Sequence, residues 1–143
     1  MLIRNWEKED NQAVTDLEQI CFAYPWTYKM VAEMQEQASF LGVVAEIEGE
    51  VIGYAGAIYC LNQADVALVA VKPEFRRNGI AQKLINQLEQ LLLQKGVTDV
   101  FLEVRISNTP ARELYKRMGF SEISIRKKYY EDSEDAIVML KVI

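Results

Sequence analysis

A buried strand, a basic turn and a long amphipathic helix follow one another in the middle of this 143-residue chain. The strand is predicted over residues 66–71, and an apolar stripe at helical spacing covers residues 81–92. Gly79 stands just before the stripe, and Arg76 and Arg77 precede the glycine. A sheet flanked by helices accommodates such a strand-to-helix connection, so this segment predicts an α/β fold.

Hydrophobic periodicity extends this architecture over the whole chain. Further helices are predicted from apolar stripes over residues 13–21 and 111–118, and Thr27 is expected to cap another helix. Strands are predicted over residues 2–4, 40–47, 51–59, 66–71, 100–104, 123–125 and 136–142. We therefore expect a single domain, 1–143, with a mixed central sheet of about seven strands flanked by about four helices.

Composition excludes several kinds of catalytic and metal site. The chain has no histidine, and both Ser-His-Asp and Cys-His catalysis need an imidazole base. Its two cysteines, Cys21 and Cys60, cannot complete a structural zinc site of four cysteine or histidine ligands, nor do they form a disulfide framework. We therefore expect no metal site and a reducing, cytoplasmic environment.

Charge and hydropathy limit the partners. The net charge is −5, which argues against direct nucleic-acid binding. The apolar runs are too short to span a bilayer, and the charged N-terminal segment does not resemble a signal peptide. We therefore expect no membrane association.

The basic turn has the properties of an anion site. The first N–H groups of an α-helix have no partner within the helix, lie at the positive end of its dipole, and can approach a ligand closely beside a glycine. Arg76 and Arg77 add positive charge beside Gly79. The alternative is an ordinary loop with a glycine at the helix start. The order of strand, arginines, Gly-x-Ala and helix favours a cradle for a diphosphate, although neither the P-loop nor the Gly-x-Gly-x-x-Gly pattern is present.

These residues carry a family resemblance. Arg76-x-x-Gly79-x-Ala81 is similar to the Gln/Arg-x-x-Gly-x-Gly/Ala motif of the GCN5-related N-acetyltransferases (GNAT). Further segments resemble the RimI branch of that family, the ribosomal-protein alanine N-acetyltransferases: Tyr24-Pro25-Trp26-Thr27, Leu102-Glu103-Val104-Arg105-x-Ser107-Asn108, Leu114-Tyr115-x-x-x-Gly119-Phe120, Ile125-Arg126-x-x-Tyr129-Tyr130 and Glu134-Asp135-Ala136-Ile137-x-Met139.

The resemblance implies a GNAT fold and an activity. It implies transfer of acetyl from acetyl-CoA to the N-terminal alanine amine of a small-subunit ribosomal protein, by direct attack in a ternary complex. A small amine or an internal lysine is the alternative acceptor, and a non-catalytic acyl-CoA-binding module is a further alternative. The protein N-terminus would be the acceptor partner.

The resemblance also implies the binding residues for acetyl-CoA. We expect Thr109, followed by Pro110, to cap the next helix and so to leave the Asn108 amide free for the co-substrate. The expected acetyl-CoA site comprises Val69, Ala70, Val71, Arg76, Arg77, Asn78, Gly79, Ile80, Ala81, Gln82 and Asn108.

Two residues are candidates for acid–base catalysis. Glu103 interrupts a buried strand, where a carboxylate is costly unless it is solvated or paired, for example with Arg105. Tyr115 lies on an apolar helical stripe, where a core tyrosine is the alternative. The resemblance implies that Glu103 is the general base, directly or through water, and that Tyr115 is the general acid toward the departing thiolate.

Two aromatic loop segments are candidates for acceptor binding. They either cover the core or, as the resemblance implies, flank the channel for the acceptor peptide; their residues are Tyr24, Trp26, Tyr129 and Tyr130.

Overall fold

The computed structural model describes all residues, 1–143, and contains one mixed sheet of seven strands. In chain order the strands are β1 (Leu2–Asn5), β2 (Phe40–Ile47), β3 (Glu50–Cys60), β4 (Gln63–Val71), β5 (Asp99–Arg105), β6 (Ser121–Arg126) and β7 (Ala136–Val142). The helices are α1 (Asn11–Cys21), α2 (Tyr28–Gln35), α3 (Ile80–Gln94) and α4 (Thr109–Arg117), with short 3-10 turns at Lys8–Asp10 and Pro73–Phe75. The predicted α/β class, the seven strands and the four helices are confirmed.

The spatial order of the strands is β1-β2-β3-β4-β5-β7-β6. Every neighbouring pair is antiparallel except β4 and β5, which are joined through α3 and run parallel. The parallel pairing covers only Gln63–Asp65 of β4 and Asp99–Phe101 of β5, although both strands continue beyond it. The two strands therefore separate toward their carboxyl ends, and a gap opens in the middle of the sheet.

Helices cover the two faces of the sheet unequally. Helix α3 packs on one face through a buried stripe whose spacing matches the predicted one; its residues include Leu84, Ile85, Leu88 and Leu92. On the other face α1 packs against β3 and β4, and α2 packs against β2. A second buried cluster fills that layer and includes Trp6, Val14, Leu17, Val31 and Tyr54. The helical layer of this second face ends at β4, which leaves the same face of β5, β7 and β6 open.

Local signals start the helices. Thr27 caps α2 as predicted, since its hydroxyl accepts the N–H of Met30 at 3.2 Å. Gly79 precedes α3 in the left-handed region, with φ of 74°, which a glycine adopts without strain. The expectation that Thr109 caps α4 is wrong: Thr109 is already helical, and the Asn108 side-chain oxygen accepts the N–H of Ala111 at 3.3 Å.

None of the helices combines the length and the apolar character that a transmembrane span requires.

Truncating a buried position of α3 should cost more stability than truncating an exposed one. Leu88 is 1% exposed, so Leu88→Ala should lower the free energy of unfolding by about 2–5 kcal/mol through lost burial and an unfilled cavity. Leu93 is 42% exposed on the same helix, so Leu93→Ala should change it by only about 0.5 kcal/mol. Urea denaturation followed by circular dichroism measures both. Equal losses would contradict the assignment of the buried side.

Candidate active site

The gap between β4 and β5 exposes main-chain groups of β4. The Lys72 N–H donates to the Ile52 carbonyl of β3 at 2.8 Å. In an antiparallel pair, only every second residue directs its main-chain N–H and C=O toward the same neighbouring strand. Ala70 therefore points its main chain at Tyr54 of β3, its partner in the register. Val69 and Val71 point theirs away from β3, into the gap. Of the three predicted β4 residues, these two present main-chain groups to a ligand.

The turn that follows β4 is rich in unpaired donors. The six consecutive main-chain N–H groups of Arg77 to Gln82 donate no hydrogen bond within the protein. Arg77 and Gly79 both have positive φ, 66° and 74°, and a Cβ placed on Gly79 would meet no atom within 4 Å. Such a run of amides at a helix start forms a concave anion site. The residues present therefore fit the diphosphate of acetyl-CoA.

The polar side chains around this turn differ in how they are used. The Arg76 Nε donates to the Val71 carbonyl at 3.0 Å, which ties the turn to the end of β4. The Asn78 amide donates to the carbonyls of Phe75 and Arg76, so it also shapes the turn. Arg77 is exposed and makes no ion pair. Across the gap, the exposed Asn108 uses its oxygen to cap α4, and its side-chain NH₂ has no partner in the chain.

Glu103 lies on β5 on the open face of the sheet, half-buried beside the gap. The interpretation of an ion pair with Arg105 is wrong, because Glu103 Oε1 lies 3.5 Å from the Arg126 Nε and Arg105 binds other carboxylates. Burial raises the pKa of Glu103; the Arg126 charge lowers it and the nearby Asp65 charge raises it further. The carboxylate is therefore a stronger base than an exposed glutamate.

Asp65 and Arg126 reach Glu103 because of two β-bulges. Gly56 and Ala57 of β3 pair with Leu68 and Val66 of β4, so Ala67 is an extra residue in β4. This bulge moves Asp65 to the open face of the sheet. In β6 the register shifts between Glu122 and Ser124, which turns Arg126 to the same face. Neither residue was identified from the sequence, because strand alternation alone gives no sign of a bulge.

Tyr115 lies on α4 and is 8% exposed, with its ring in edge contact with Phe120. Its hydroxyl has no hydrogen-bond partner in the protein. Every fully buried polar side-chain atom does have a partner, so this hydroxyl must reach solvent. Burial, with a contribution from Tyr130, raises the pKa of Tyr115 to about 12. The phenol therefore keeps its proton at neutral pH and can donate a hydrogen bond.

The two aromatic loops meet at one arginine. The Arg105 guanidinium lies 4.1 Å from the ring centre of Tyr130 and 6.0 Å from that of Tyr24. It also binds Asp132 at 2.9 Å and Glu134 at 3.0 Å, both in the loop between β6 and β7. Arg105 therefore fixes that loop and places Tyr130 opposite Tyr24.

The other two aromatic residues have different surroundings. The Tyr129 ring packs edge-on against the ring of Tyr130 at 5.0 Å, and the Arg126 guanidinium lies 5.5 Å from its centre. Burial, with a contribution from the Glu103 charge, raises the pKa of Tyr129. Trp26 packs against the cluster under α1 and α2 and lines a groove of about 290 Å³ together with Met30, Met34, Ile58 and Ala67.

The structure thus brings a carboxylate, a protonated phenol and a row of free amides to one edge of the sheet gap. An anionic ligand held at the turn would extend along β4 toward Glu103, and the open face would admit a second molecule between the aromatic loops. These groups provide a proton acceptor and hydrogen-bond donors for acyl transfer to an amine. No three acidic or cysteine side chains are grouped so that they could hold a metal ion.

Comparisons with known proteins agree with this arrangement. Residues 11–120 match the acetyltransferase (GNAT) family. The [ribosomal protein bS18]-alanine N-acetyltransferase of Escherichia coli (strain K12) is 34% identical over 140 residues, which are 96% of this chain and 94% of that protein.

Solved structures share the fold over almost the whole chain. The crystal structure of the ribosomal-protein-S18-alanine N-acetyltransferase from Escherichia coli matches with a TM-score of 0.92 and 34% identity, covering 99% of this chain and 93% of that one. A more distant structure, an aminoglycoside 6'-N-acetyltransferase complexed with coenzyme A, matches with a TM-score of 0.85 and 18% identity, covering 99% and 97%. The expected GNAT fold is confirmed.

Removing the arginine between the two loops should loosen one of them. Arg105→Ala removes the contacts to Asp132, Glu134 and Tyr130, so amide hydrogen exchange in residues 127–135 should become faster. Global stability should change little, because these ion pairs are exposed to solvent and screened by it. Arg117→Ala, at an exposed arginine of α4, is the matched control. Unchanged exchange in residues 127–135 would contradict the role of Arg105.

Proposed function

Because the chain belongs to the acetyltransferase (GNAT) family and is an acetyl-CoA-dependent N-acetyltransferase, we propose that it acetylates the α-amine of an N-terminal alanine. The proposed acceptor is a small-subunit ribosomal protein, the class of substrate in the name of the Escherichia coli relative. We place the reaction in the cytoplasm, where ribosomal proteins are made. The observation that carries the proposal is the position of Glu103 beside the β4–β5 gap, on the face where the two aromatic loops meet.

Acetyl-CoA binding is assigned to the turn and to β4. The free amides of Arg77 to Gln82 would hold the diphosphate, and Arg77 would add charge. The main-chain N–H and carbonyl of Val69 and the N–H of Val71 would bind the pantetheine and acetyl portion in the gap, since the Val71 carbonyl already accepts from Arg76. The free N–H of Val71 would polarise the thioester carbonyl, and the Asn108 NH₂ group would bind the co-substrate from α4.

The pKa shifts refine the acid–base roles that the family resemblance implies for Glu103 and Tyr115. Glu103, directly or through water, would accept the proton that the amine loses as its nitrogen bonds to the acetyl carbon and the carbon–sulfur bond breaks. A thiol has a pKa of about 8.5, whereas burial raises the pKa of Tyr115 to about 12. Complete proton transfer from the phenol to the departing thiolate is therefore uphill. Tyr115 would instead stabilise the thiolate by donating a hydrogen bond.

Amine chemistry favours an N-terminal acceptor. An α-amine has a pKa of about 7.7–8.0, so roughly a tenth to a fifth is neutral at about pH 7, whereas a lysine amine with a pKa of about 10.4 is about 0.04% neutral. The difference corresponds to about 3.5 kcal/mol of deprotonation. A single half-buried carboxylate is better suited to the α-amine.

A panel of amines tests the proposed acceptor. Thiol release and product mass would be measured with an alanine-terminated peptide, with the same peptide blocked at its N-terminus and carrying an internal lysine, and with spermidine. We expect efficient turnover of the free alanine terminus alone. Faster acetylation of the blocked peptide or of spermidine would overturn the proposed acceptor, and binding of acetyl-CoA without turnover of any amine would overturn catalysis.

Removing either proposed acid–base group should affect the chemical step. Glu103→Gln should lower kcat by roughly 10²–10⁴-fold because it removes the proton acceptor. Tyr115→Phe should lower kcat by roughly 10²–10³-fold because it removes the hydrogen-bond donor to the departing thiolate. Both variants should retain the fold. Glu113→Gln and Tyr59→Phe are matched controls outside the site. Steady-state kinetics with the alanine-terminated peptide measures the effect, and wild-type rates would remove the substituted residue from the mechanism.

The charges beside Glu103 should move the pH dependence in opposite directions. The Asp65 charge raises the pKa of Glu103, so Asp65→Asn should lower it and keep the carboxylate ionised to lower pH. The Arg126 charge lowers that pKa, so Arg126→Gln should raise it. The acidic limb of kcat/KM should therefore shift to lower pH in the first variant and to higher pH in the second.

Ionisation of the peptide amine does not affect the comparison of acidic limbs between variants. The pKa of the free peptide amine is the same for every enzyme variant, so a difference between variants belongs to the enzyme. Acidic limbs that stay in place, or that move in the same direction, would show that Glu103 is not the titrating base.

A further inference from the structure

Glu18 is a buried acid that the proposed reaction does not use. It lies on α1 and is 1% exposed, and no cation pairs with it. Its two oxygens each accept one hydrogen bond, from the main-chain N–H of Trp26 at 3.0 Å and from the hydroxyl of Tyr54. A leucine would fill this position without the cost of burying a carboxylate. What this carboxylate contributes is therefore its two contacts.

One of those contacts fixes the loop between α1 and α2. The Glu18 main-chain carbonyl accepts the N–H of Phe22 at 3.0 Å, and its side chain accepts the N–H of Trp26. The N–H groups between these two points, on Ala23 and Tyr24, donate no hydrogen bond. Glu18 thus holds both ends of a loop whose middle has no other main-chain anchor.

The other contact ties the loop to the centre of the sheet. Tyr54 lies on β3 and is fully buried, and its register partner on β4 is Ala70. Burial and the adjacent Glu18 raise the pKa of Tyr54, so the hydroxyl keeps the proton that it donates. The Glu18 carboxylate is therefore a rigid bridge between β3 and the loop.

The loop faces the acceptor side of the site. Tyr24 lies 6.0 Å from the Arg105 guanidinium, which packs on Tyr130 of the opposite loop. Trp26 lines the groove beside Ile58 and Ala67 on the same face of the sheet. A shift of the loop would change the width of the cleft between Tyr24 and Tyr130. The main anchor of the diphosphate turn lies outside this loop, in the bond from the Arg76 Nε to the Val71 carbonyl, which the Cys21 thiol at the end of α1 also reaches at 3.8 Å.

We propose that Glu18 is a positioning residue that sets the width of the acceptor cleft by holding the loop between α1 and α2 against Tyr54. This inference rests on the proposed function in that it takes the cleft between the two aromatic loops as the acceptor site. It assigns a role in the reaction to a side chain that contacts neither substrate.

Kinetics of Glu18 variants test the inference. Glu18→Met removes both bonds and should raise the KM for the alanine-terminated peptide about tenfold, the scale of the charged hydrogen bond that holds the loop at Trp26. The KM for acetyl-CoA should stay within about twofold, as a separate diphosphate site requires. Glu18→Gln can accept from Trp26 and donate to the Tyr54 oxygen, so it should restore most of the peptide affinity. Gln19→Met, at the exposed neighbouring position on α1, is the matched control.

A second variant and a hydrogen-exchange measurement test the inference even if Glu18→Met does not fold. If Glu18→Met does not fold, Tyr54→Phe leaves one Glu18 oxygen without its donor in a nearly unchanged core and should also raise the peptide KM selectively. Hydrogen exchange at the Trp26 amide should accelerate in whichever of these variants folds. An unchanged peptide KM, or equal increases for both substrates, would overturn the inference.

The result is separable from that of the proposed function. Turnover of the alanine-terminated peptide by the wild-type protein decides the proposed acceptor. The ratio of variant to wild-type KM decides the role of Glu18, and it is measured with whichever amine the acceptor panel identifies.

Discussion

The site depends on the early separation of β4 and β5. The two strands pair over three residues each and then diverge, so a sheet that is continuous elsewhere has an opening at its centre. Main-chain groups that a regular sheet would satisfy internally are thereby left for a ligand. The same divergence puts the amides of Val69 and Val71 on one side of the opening and the Glu103 strand on the other. In the proposed function, acetyl-CoA binding and proton transfer would lie side by side because of this strand geometry.

The two faces of the sheet differ in what covers them. Helix α3 covers one face with a continuous apolar cluster, and the diphosphate turn is the start of that helix. On the other face the helices end at β4, and loops that meet at Arg105 enclose the remainder. Carboxylates on this open side, Asp65 and Glu103, suit a cationic amine before it is deprotonated. In the proposed function these loops would set the choice of acceptor, and the core constrains one of them through the Glu18 bond to Tyr54.

Sequence patterns predicted the elements better than the contacts of the site. Apolar periodicity and the glycine turn located α3, and a threonine cap located α2, because these signals are local. Strand β4 begins three residues before the predicted start, since pairing with β5 recruits Gln63 and Asp65, which have little strand preference of their own. The sequence offered Arg105 as one example of an ion partner for Glu103, whereas the partner is Arg126, because the bulge in β6 that turns Arg126 to the open face depends on cross-strand register. The predicted cap of α4, Thr109, is one residue too late, because Asn108 and Thr109 are both favourable N-cap residues and the sequence alone does not distinguish them.

As the proposed acetyl-CoA site, the unpaired amides from Arg77 to Gln82 would couple the stability of the protein to the supply of that metabolite. A ligand that binds only the folded chain adds RT ln(1 + [L]/Kd) to its stability, about 2.7 kcal/mol when the ligand is at about 100 times its Kd. Cells rich in acetyl-CoA would then hold this chain folded and shielded from proteases, whereas starved cells would lose that protection. Abundance and activity would then fall together during starvation.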